Sequence, residues 1–500
     1  MAIAGVDVGT TGCKCTVCNL NGTILNQSYR EYETGNNKNG RELNAREVWT
    51  QVKEVIREAA RGTEEIQAIG VTSFGETPVL LDAAGEPLMN SLTYLDPRGE
   101  QECQRIIRHF GMEYLFRITG LKAHPMYSLS KLMWLAEHRK DAVERTAHIC
   151  MFGDYITYML TGRFQIDYSL ASRTMAFDYR KLDWADDILE FAGFDREKMS
   201  KPVPIGTKVG CVTKDAAKEL GISSSAVVVT GCQDQMASAI GTGCLENSMA
   251  VDGTGTVECI TPVFGEPENL EVMFKNCFAM IPFVKPDTYV TYAFSFNGGS
   301  LLKWYRDNLA ALEARLYREQ GISAYEGFNA RVSAETPSGL LVLPYFSGAA
   351  TPYMDPEARG AVVGLRDSTT SIDIYQGLME GVTFEMRLNL ECLEAAGIQV
   401  NVLYATGGGA QSPIWLQMKA DILNKRIITL GSAQSGTLGC IMLAGVACGV
   451  YENLSEASDI FVKPEKEYIP DLKKHEIYMN YYKKYRRMYR AVGNILKEEA

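Results

Sequence analysis

The sequence predicts a mixed α/β protein built from two domains, and three observations carry that expectation. The N-terminal segment reads strand, strand, strand, helix, strand, an order typical of mixed α/β folds rather than of helical bundles or β-sandwiches. The length of 500 residues exceeds the roughly 100–200 of a typical single domain. A glycine-bearing hairpin at 7–14 has a loose echo at 252–256, flanked there by SMAV and VECI, which points to two related domains.

IAGVDVG is an apolar strand ending in a glycine turn, and KCTVCNL alternates as a second strand. Asn21-Gly22 marks a hairpin turn into a third strand, TILNQSYREYE. A charged amphipathic helix follows over about 45–60, then the apolar strand IQAIGVTS. Residues 97–201 are richer in helical patterns. AVVVTG, from Ala226, reads as a buried strand, followed by a helix from about Gln235 and strands again over 248–261. The domain boundary is placed there, giving an N-terminal domain over 1–246 and a C-terminal domain over 247–500. In the second domain, NVLYA is a strand, a helix starts near Pro413, and 439–450 is a packed core helix too short to span a bilayer. From Tyr478 onward a Tyr/Lys/Arg-rich stretch reads as a solvated amphipathic helix.

Composition narrows the function classes. With 46% apolar and 22% charged residues the chain folds rather than remaining disordered. A net charge of −11 argues against the basic stripe that a nucleic-acid partner needs, whereas ATP is compatible with it because local amides, a lysine and a metal ion handle phosphates. Thirteen scattered cysteines, an odd number, suit a reducing compartment, and MAIAGVDVGT lacks the features of a signal peptide. A cytoplasmic protein with no membrane partner is expected. Cys13, Cys15 and Cys18 are weighed as a zinc cluster and read instead as small apolar residues of a strand.

Several short segments hold side chains capable of chemistry. Asp7-Val8-Gly9-Thr10-Thr11-Gly12-Cys13-Lys14 combines backbone amides freed by glycine, hydroxyl donors and a cation, the ingredients of a phosphate cradle. Asp7 is placed to hold Mg²⁺, directly or through water. Gly253-Thr254-Gly255-Thr256 offers a second nest of amides and hydroxyls, with a plain β-turn as the alternative. Gly408, Gly409 and Ala410 lie at a strand-to-helix turn where a flat ligand can rest on backbone, again with a simple tight turn as the alternative. Asp234, between a buried strand and a helix, is either a helix-capping carboxylate or a general base for a hydroxyl proton.

Longer motifs decide among these alternatives. MYSLSKLMWLAEH from Met126, GDYITYMLTGRFQIDYSLASRTMAFD from Gly153, FSGAATPYMDPEARGAVVGL from Phe346 and GGGAQSPIWLQMKADIL from Gly407 resemble, in order, the conserved segments of the FGGY family of carbohydrate kinases. The chain departs from the family pattern at Ala349-Ala350, where Glu-Arg is usual, and at Gly377, where Ala or Ser is usual. The resemblance implies two ribonuclease H-like, actin-type ATPase domains around a central cleft, with ATP and Mg²⁺ as cofactors and a small-molecule sugar or polyol as acceptor. It implies further that Asp7, Thr10, Thr11 and Lys14 form a first phosphate loop, and that Gly253, Thr254, Gly255 and Thr256 form a second. Gly299, Gly408, Gly409 and Ala410 would line the nucleotide site, and Asp234 would be the catalytic base. The oligomeric state stays open between monomer and homodimer.

The sugar-reading residues fit no single relative. Ser73-Phe74-Gly75-Glu76-Thr77 lacks the Met-His pair of xylulokinases. Glu76, Thr77 and Gln235 follow the glycerol-kinase pattern, but Gly75 stands in place of its arginine. Asp96 and Arg98 keep the D-x-R of a family segment, with Tyr94 for its tryptophan. The substrate residues expected from the resemblance are thus Glu76, Thr77, Asp96, Arg98 and Gln235. The carboxylate of Glu76 disfavours an acidic substrate unless a cation offsets it. A neutral ketopentose such as xylulose is the first expectation, a glycerol- or erythritol-type polyol the second, and a nucleotide-binding regulator on the same fold an alternative of another class.

Overall fold

The computed structural model describes residues 1–33, 35–37, 40–333, 335–432 and 434–497, so the last three residues of the 247–500 span lie outside it. The chain forms two units. The first comprises Met1–Leu245, Ala279–Val290 and Gln434–Lys463, and the second comprises Glu246–Phe278, Thr291–Ala433 and the chain from Pro464 onward. Two later segments therefore return to the first unit, a feature absent from a contiguous division at 246/247.

In the first unit the predicted opening strands form at Ala2–Val8, Gly12–Asn19 and Ile24–Glu31, with Gly22 supplying a positive φ of 89° in the turn between the second and third strands. The sheet order is Lys208–Cys211, Val227–Gln233, Ile66–Ser73, Ala2–Val8, Gly12–Asn19, Ile24–Glu31. Ala2–Val8 is the pivot, antiparallel to Gly12–Asn19 and parallel to Ile66–Ser73. Being central, it is buried along almost its whole length, which explains its unbroken apolar sequence. The helix Ala45–Ala60 starts where the Asn44 side chain accepts from the amides of Arg46 and Glu47 at 3.0 and 3.3 Å. Its stripe of Val48, Val52, Val55, Ile56 and Ala59 is buried.

The helix Ser435–Ala447 packs on the same sheet. Glycine makes that approach possible. A Cβ at Gly5 would meet the Thr437 carbonyl oxygen at 2.1 Å, and one at Gly70 would meet the Cys440 oxygen at 2.3 Å. Cys13, Cys15 and Cys18 are fully buried within the paired strand Gly12–Asn19, and burial pushes the thiols of Cys13 and Cys18 up to about 12.

The second unit repeats the local theme. Met249–Thr254 lies antiparallel to Glu258–Phe264 and parallel to Val402–Thr406, which continues to Arg426–Leu430 and Pro464–Tyr468. The 25-residue helix Ser371–Ala395, opened by a capping box of Thr370 and Asp373, is the longest in the chain among the described residues. The C-terminal helix begins at Leu472 rather than at Tyr478, because the Asp471 carboxylate caps the amides of Lys473 and Lys474. It is packed rather than solvated on one face. Tyr478, Tyr482 and Tyr485 are buried at helical spacing, and a further helix spans Met488–Lys497. Among the described residues no helix is long and apolar enough to cross a membrane.

Candidate active site

Strand ends gather the charged residues of the first unit. Asp7, at the C-terminal end of its strand, stands opposite Lys14 on one neighbour and Thr72 on the other. The turn between the strands holds Thr10 and Thr11, closed by a hydrogen bond from the Gly9 amide to the Gly12 carbonyl at 2.9 Å. Tyr32 braces this turn from outside, its hydroxyl donating to the carbonyls of Gly9 and Gly12. Burial raises the Asp7 carboxyl above its ordinary range while Lys14 opposes the shift, and no hydrogen bond or ion pair from the described residues engages that carboxylate.

Asp234 opens the helix Asp234–Gly241 directly after the strand Val227–Gln233. The helix N-terminus favours a negative charge there, and the Gln235 amide donates to Oδ1 at 2.7 Å. Other influences act against ionisation. Burial first, and then the charges of Asp7 and Glu76, push the Asp234 carboxyl up to about 7, with the Gln235 amide and Arg173 pulling the other way. Asp7, Glu76, Arg173 and Asp234 therefore share one electrostatic locus. Tyr94 belongs to it too, since burial and then Glu76 and Asp234 raise its phenol. Gln235 is exposed beside Asp234.

Glu76 is 4% exposed and adopts φ 63°, a left-handed conformation that costs a non-glycine residue about 1–2 kcal/mol. Its partner is Arg173, whose Nε and Nη2 both reach Oε1. The guanidinium also lies over the Tyr127 ring, 5.1 Å from its centroid. Thr77 is fully buried, and its hydroxyl finds no partner among the described residues.

Asp96 and Arg98 are differently placed. Arg98 grips Asp96 with Nε on Oδ1 and Nη2 on Oδ2, both at 2.7 Å, and also reaches Glu42 at 2.9 Å. The amides of Arg98 and Arg41 complete the Asp96 carboxylate at 2.9 and 2.7 Å. Burial alone would raise Asp96, but these donors hold it below its ordinary value. Lys131 supports the same turn by donating to the carbonyls of Asp96 and Arg98. Of the residues expected to read substrate, these two thus already spend their polar groups on one another.

In the second unit three loops meet at backbone distance. Gly253 pairs with Cys259 and Thr406 on its two neighbouring strands. The Gly299 amide donates to the Gly255 carbonyl at 2.8 Å and the Gly298 amide to that of Thr256 at 3.0 Å. Side chains would not fit here: a Cβ at Gly299 would lie 2.6 Å from the Gly255 oxygen, and one at Gly409 would lie 2.4 Å from the Thr254 Cβ. Gly408 faces open space, and the Ala410 amide closes its turn on the Gly407 carbonyl at 3.2 Å. Gly253–Thr256, Gly299 and Gly408–Ala410 thereby form one backbone-lined locus.

Beneath it lies a cluster that local sequence gave no reason to expect. Lys419, 1% exposed, donates to Asp252 Oδ2 at 2.8 Å, to Thr254 Oγ1 at 2.6 Å and to Glu258 Oε1. Burial pushes Glu258 well up, with Lys419 opposing and Asp252 adding to the rise. Arg173, Tyr94, Glu258 and Lys419 were not predicted as functional. Arg173 is 97 residues from Glu76 and Lys419 is 167 from Asp252, so no local spacing announces either contact. Ala349 and Ala350 are buried in a tight turn closed by the Ala349–Asp355 bridge.

The chain thus comprises two α/β units, one with a glycine-rich backbone locus and the other with carboxylates near strand ends. The chain matches the N-terminal domain of the FGGY family of carbohydrate kinases over residues 2–241 and the C-terminal domain over residues 249–448. It belongs to that family and is a carbohydrate kinase, with ATP as the phosphate donor and a small-molecule sugar as acceptor. It is 27% identical to a xylulose kinase of Bacillus subtilis over 493 residues, covering 97% of this chain and 96% of the relative. It is 28% identical to a gluconokinase of the same organism, covering 91% and 89%. A ligand-bound xylulose kinase structure from Lactobacillus acidophilus superposes with a TM-score of 0.90 over the full length of both chains at 24% identity, which establishes the shared fold.

Proposed function

We propose that the protein transfers the γ-phosphoryl group of Mg·ATP to a hydroxyl of a neutral ketopentose, xylulose first, with Asp234 as the general base. The observation that carries this reading is the position of Asp234, at a helix N-terminus within one electrostatic locus with Asp7, Glu76 and Arg173. Its carboxyl, lifted to about 7, is a better proton acceptor than an ordinary aspartate and is still substantially ionised at neutral pH. As the substrate oxygen bonds to the γ-phosphorus, Asp234 takes its proton and the bond from phosphorus to the β,γ-bridging oxygen breaks, releasing ADP.

Thr10, Thr11 and Lys14 are assigned to the first phosphate loop, and Gly253, Thr254, Gly255, Thr256, Gly299, Gly408, Gly409 and Ala410 to the second nucleotide locus. Gly255 and Gly408, where an added Cβ would meet nothing within 4 Å, support the assignment, since amides approach an anion only where side chains are absent. Asp7 fits Mg²⁺. The ion needs only one or two carboxylates and keeps several waters, and the Asp7 carboxylate makes no hydrogen bond within the described chain. When bound, the ion neutralises phosphate charge. Glu76, Thr77 and Gln235 are assigned to the sugar, whereas Asp96 and Arg98 would shape the adjoining loop through their mutual brace.

Xylulose leads because the xylulose kinase relative spans 97% of the chain. A glycerol- or erythritol-type polyol is the second reading, favoured by Glu76 and Gln235. Mg·ATP-dependent ADP release is measured across D- and L-xylulose, ribulose, glycerol, erythritol and gluconate. One neutral compound standing above the others supports the proposal, whereas gluconate in first place, or silence across the panel, contradicts it. Asp234→Asn is expected to lower kcat by at least ~10²-fold with ATP binding retained. Unchanged turnover would remove Asp234 from the role of base.

A further inference from the structure

We propose that Arg173 is a positioning residue for sugar recognition, holding one carboxylate oxygen of Glu76 so that the other is presented to the hydroxyls of a neutral substrate. The inference rests on the reading that Glu76 belongs to the sugar site.

Three features of the chain converge on this pair. Gly75 leaves the room that the arginine occupies: a Cβ there would stand 3.0 Å from Arg173 Cγ and 3.1 Å from its Cβ. The arginine that packs against Gly75 comes from another part of the chain, 97 residues from Glu76. The delivering segment is itself anchored to the strand that leads into Asp234. Arg173 directly follows the helix Tyr168–Ser172, whose start is capped by Asp167, and Ser169 Oγ accepts from the Gln233 amide at 2.8 Å. Finally, Glu76 combines a left-handed backbone conformation, which persists only where the surroundings hold a residue, with this buried ion pair.

The geometry differs from that of a purely structural brace. Arg98 occupies both oxygens of Asp96, and backbone amides reinforce both. Arg173 places two nitrogens on Oε1 of Glu76 alone, and no donor from the described residues reaches Oε2. A carboxylate with one oxygen fixed and the other uncommitted suits a hydroxyl donor. The pair is also close to neutral overall, while Asp7 and Asp234 stand in the same locus, so the site accepts uncharged polyols more readily than aldonates.

Steady-state kinetics with the neutral compound that leads the panel test the proposal, using Glu76→Ala, Arg173→Met, their double variant, Arg173→Lys and Gly75→Ala. Glu76→Ala and Arg173→Met are each expected to raise the sugar KM by about 10–100-fold, the range lost with a hydrogen bond to a charged group, with the ATP KM within about twofold. The double variant is expected to add little to Glu76→Ala, because Arg173 acts through Glu76. Arg173→Lys, which keeps the charge and loses the fork, should recover part of the effect. Gly75→Ala displaces the arginine stem without removing any charge, and is expected to raise the sugar KM selectively even if Arg173→Met does not fold. If Glu76→Ala raises the sugar KM while Gly75→Ala and every folded Arg173 variant leave it unchanged, the positioning role is overturned and the Glu76 assignment stands. If Glu76→Ala leaves the sugar KM unchanged, the underlying reading of the site falls instead.

Discussion

The hairpins at 7–14 and 252–258 are built alike and used differently. Each begins with a strand ending near an aspartate, antiparallel to the next strand and parallel to a strand further along the chain. In the first, Asp7 is half-buried and makes no hydrogen bond or ion pair with the described residues. In the second, Asp252 is 1% exposed and bonded to Lys419, which also holds Thr254 and Glu258. One aspartate makes no hydrogen bond or ion pair with the described residues, whereas the other is tied to Lys419 through Oδ2. A shared local motif therefore does not imply a shared role. The partner supplied from elsewhere in the chain decides it.

The largest effect that sharpens this contrast is expected at Lys419. Lys419→Met leaves the buried Asp252 carboxylate without its ion-pair partner and should cost about 3–5 kcal/mol, read as a fall of order 10 °C in the melting temperature. A melting temperature within a degree or two of the parent would mean that the cluster does not hold the second hairpin. A smaller effect concerns protonation. Burial and the charges of Asp7 and Glu76 raise Asp234, so in the ligand-free enzyme it should take up its proton as pH falls through about 7, and activity that needs the ionised base should decline on that acid side. Difference infrared titration of Asp7→Asn is expected to show the midpoint displaced to lower pH, because one opposing charge is gone. A midpoint that does not move would separate Asp7 from the Asp234 locus. The smallest effect belongs to Glu258→Gln. Burial already favours the neutral acid there, so an isosteric amide should change the melting temperature little, by under about 1 kcal/mol in stability. A loss as large as that of Lys419→Met would show that Glu258 is needed as a charge.

Much of the fold was legible because its signals are local. Alternation, the Asn21-Gly22 turn and the Asn44 cap mark elements whose determinants lie within a few residues. The glycine loops at 253–256 and 407–410 were legible for the same reason, since close backbone approach needs glycine at the position itself. What local sequence does not encode is the partner. The 439–450 run reads as a core helix and forms as Ser435–Ala447, but the core it joins is announced only by Gly5 and Gly70, more than 360 residues earlier, whose missing side chains acquire meaning once the helix is docked. Arg173 lay inside a segment already read for its resemblance, yet nothing in that segment points to Glu76. The stretch from Tyr478 was read as a solvated helix because its lysines and arginines are conspicuous, whereas its tyrosines at helical spacing are what it buries.

The most direct test of the contrast between the two hairpins is a side-by-side measurement of melting temperature and kcat for Asp7→Asn and Asp252→Asn. Asp7→Asn is expected to keep the parent melting temperature, since an amide relieves the burial of a charge, and to lose at least ~10² in kcat if the carboxylate serves the phosphoryl transfer. Asp252→Asn is expected to lose about 1–3 kcal/mol of stability as Lys419 gives up a charged partner, with any fall in kcat following the loss of folded protein. The reverse pattern, an unstable Asp7→Asn that stays active per folded molecule beside a stable Asp252→Asn that is inactive, would contradict the account.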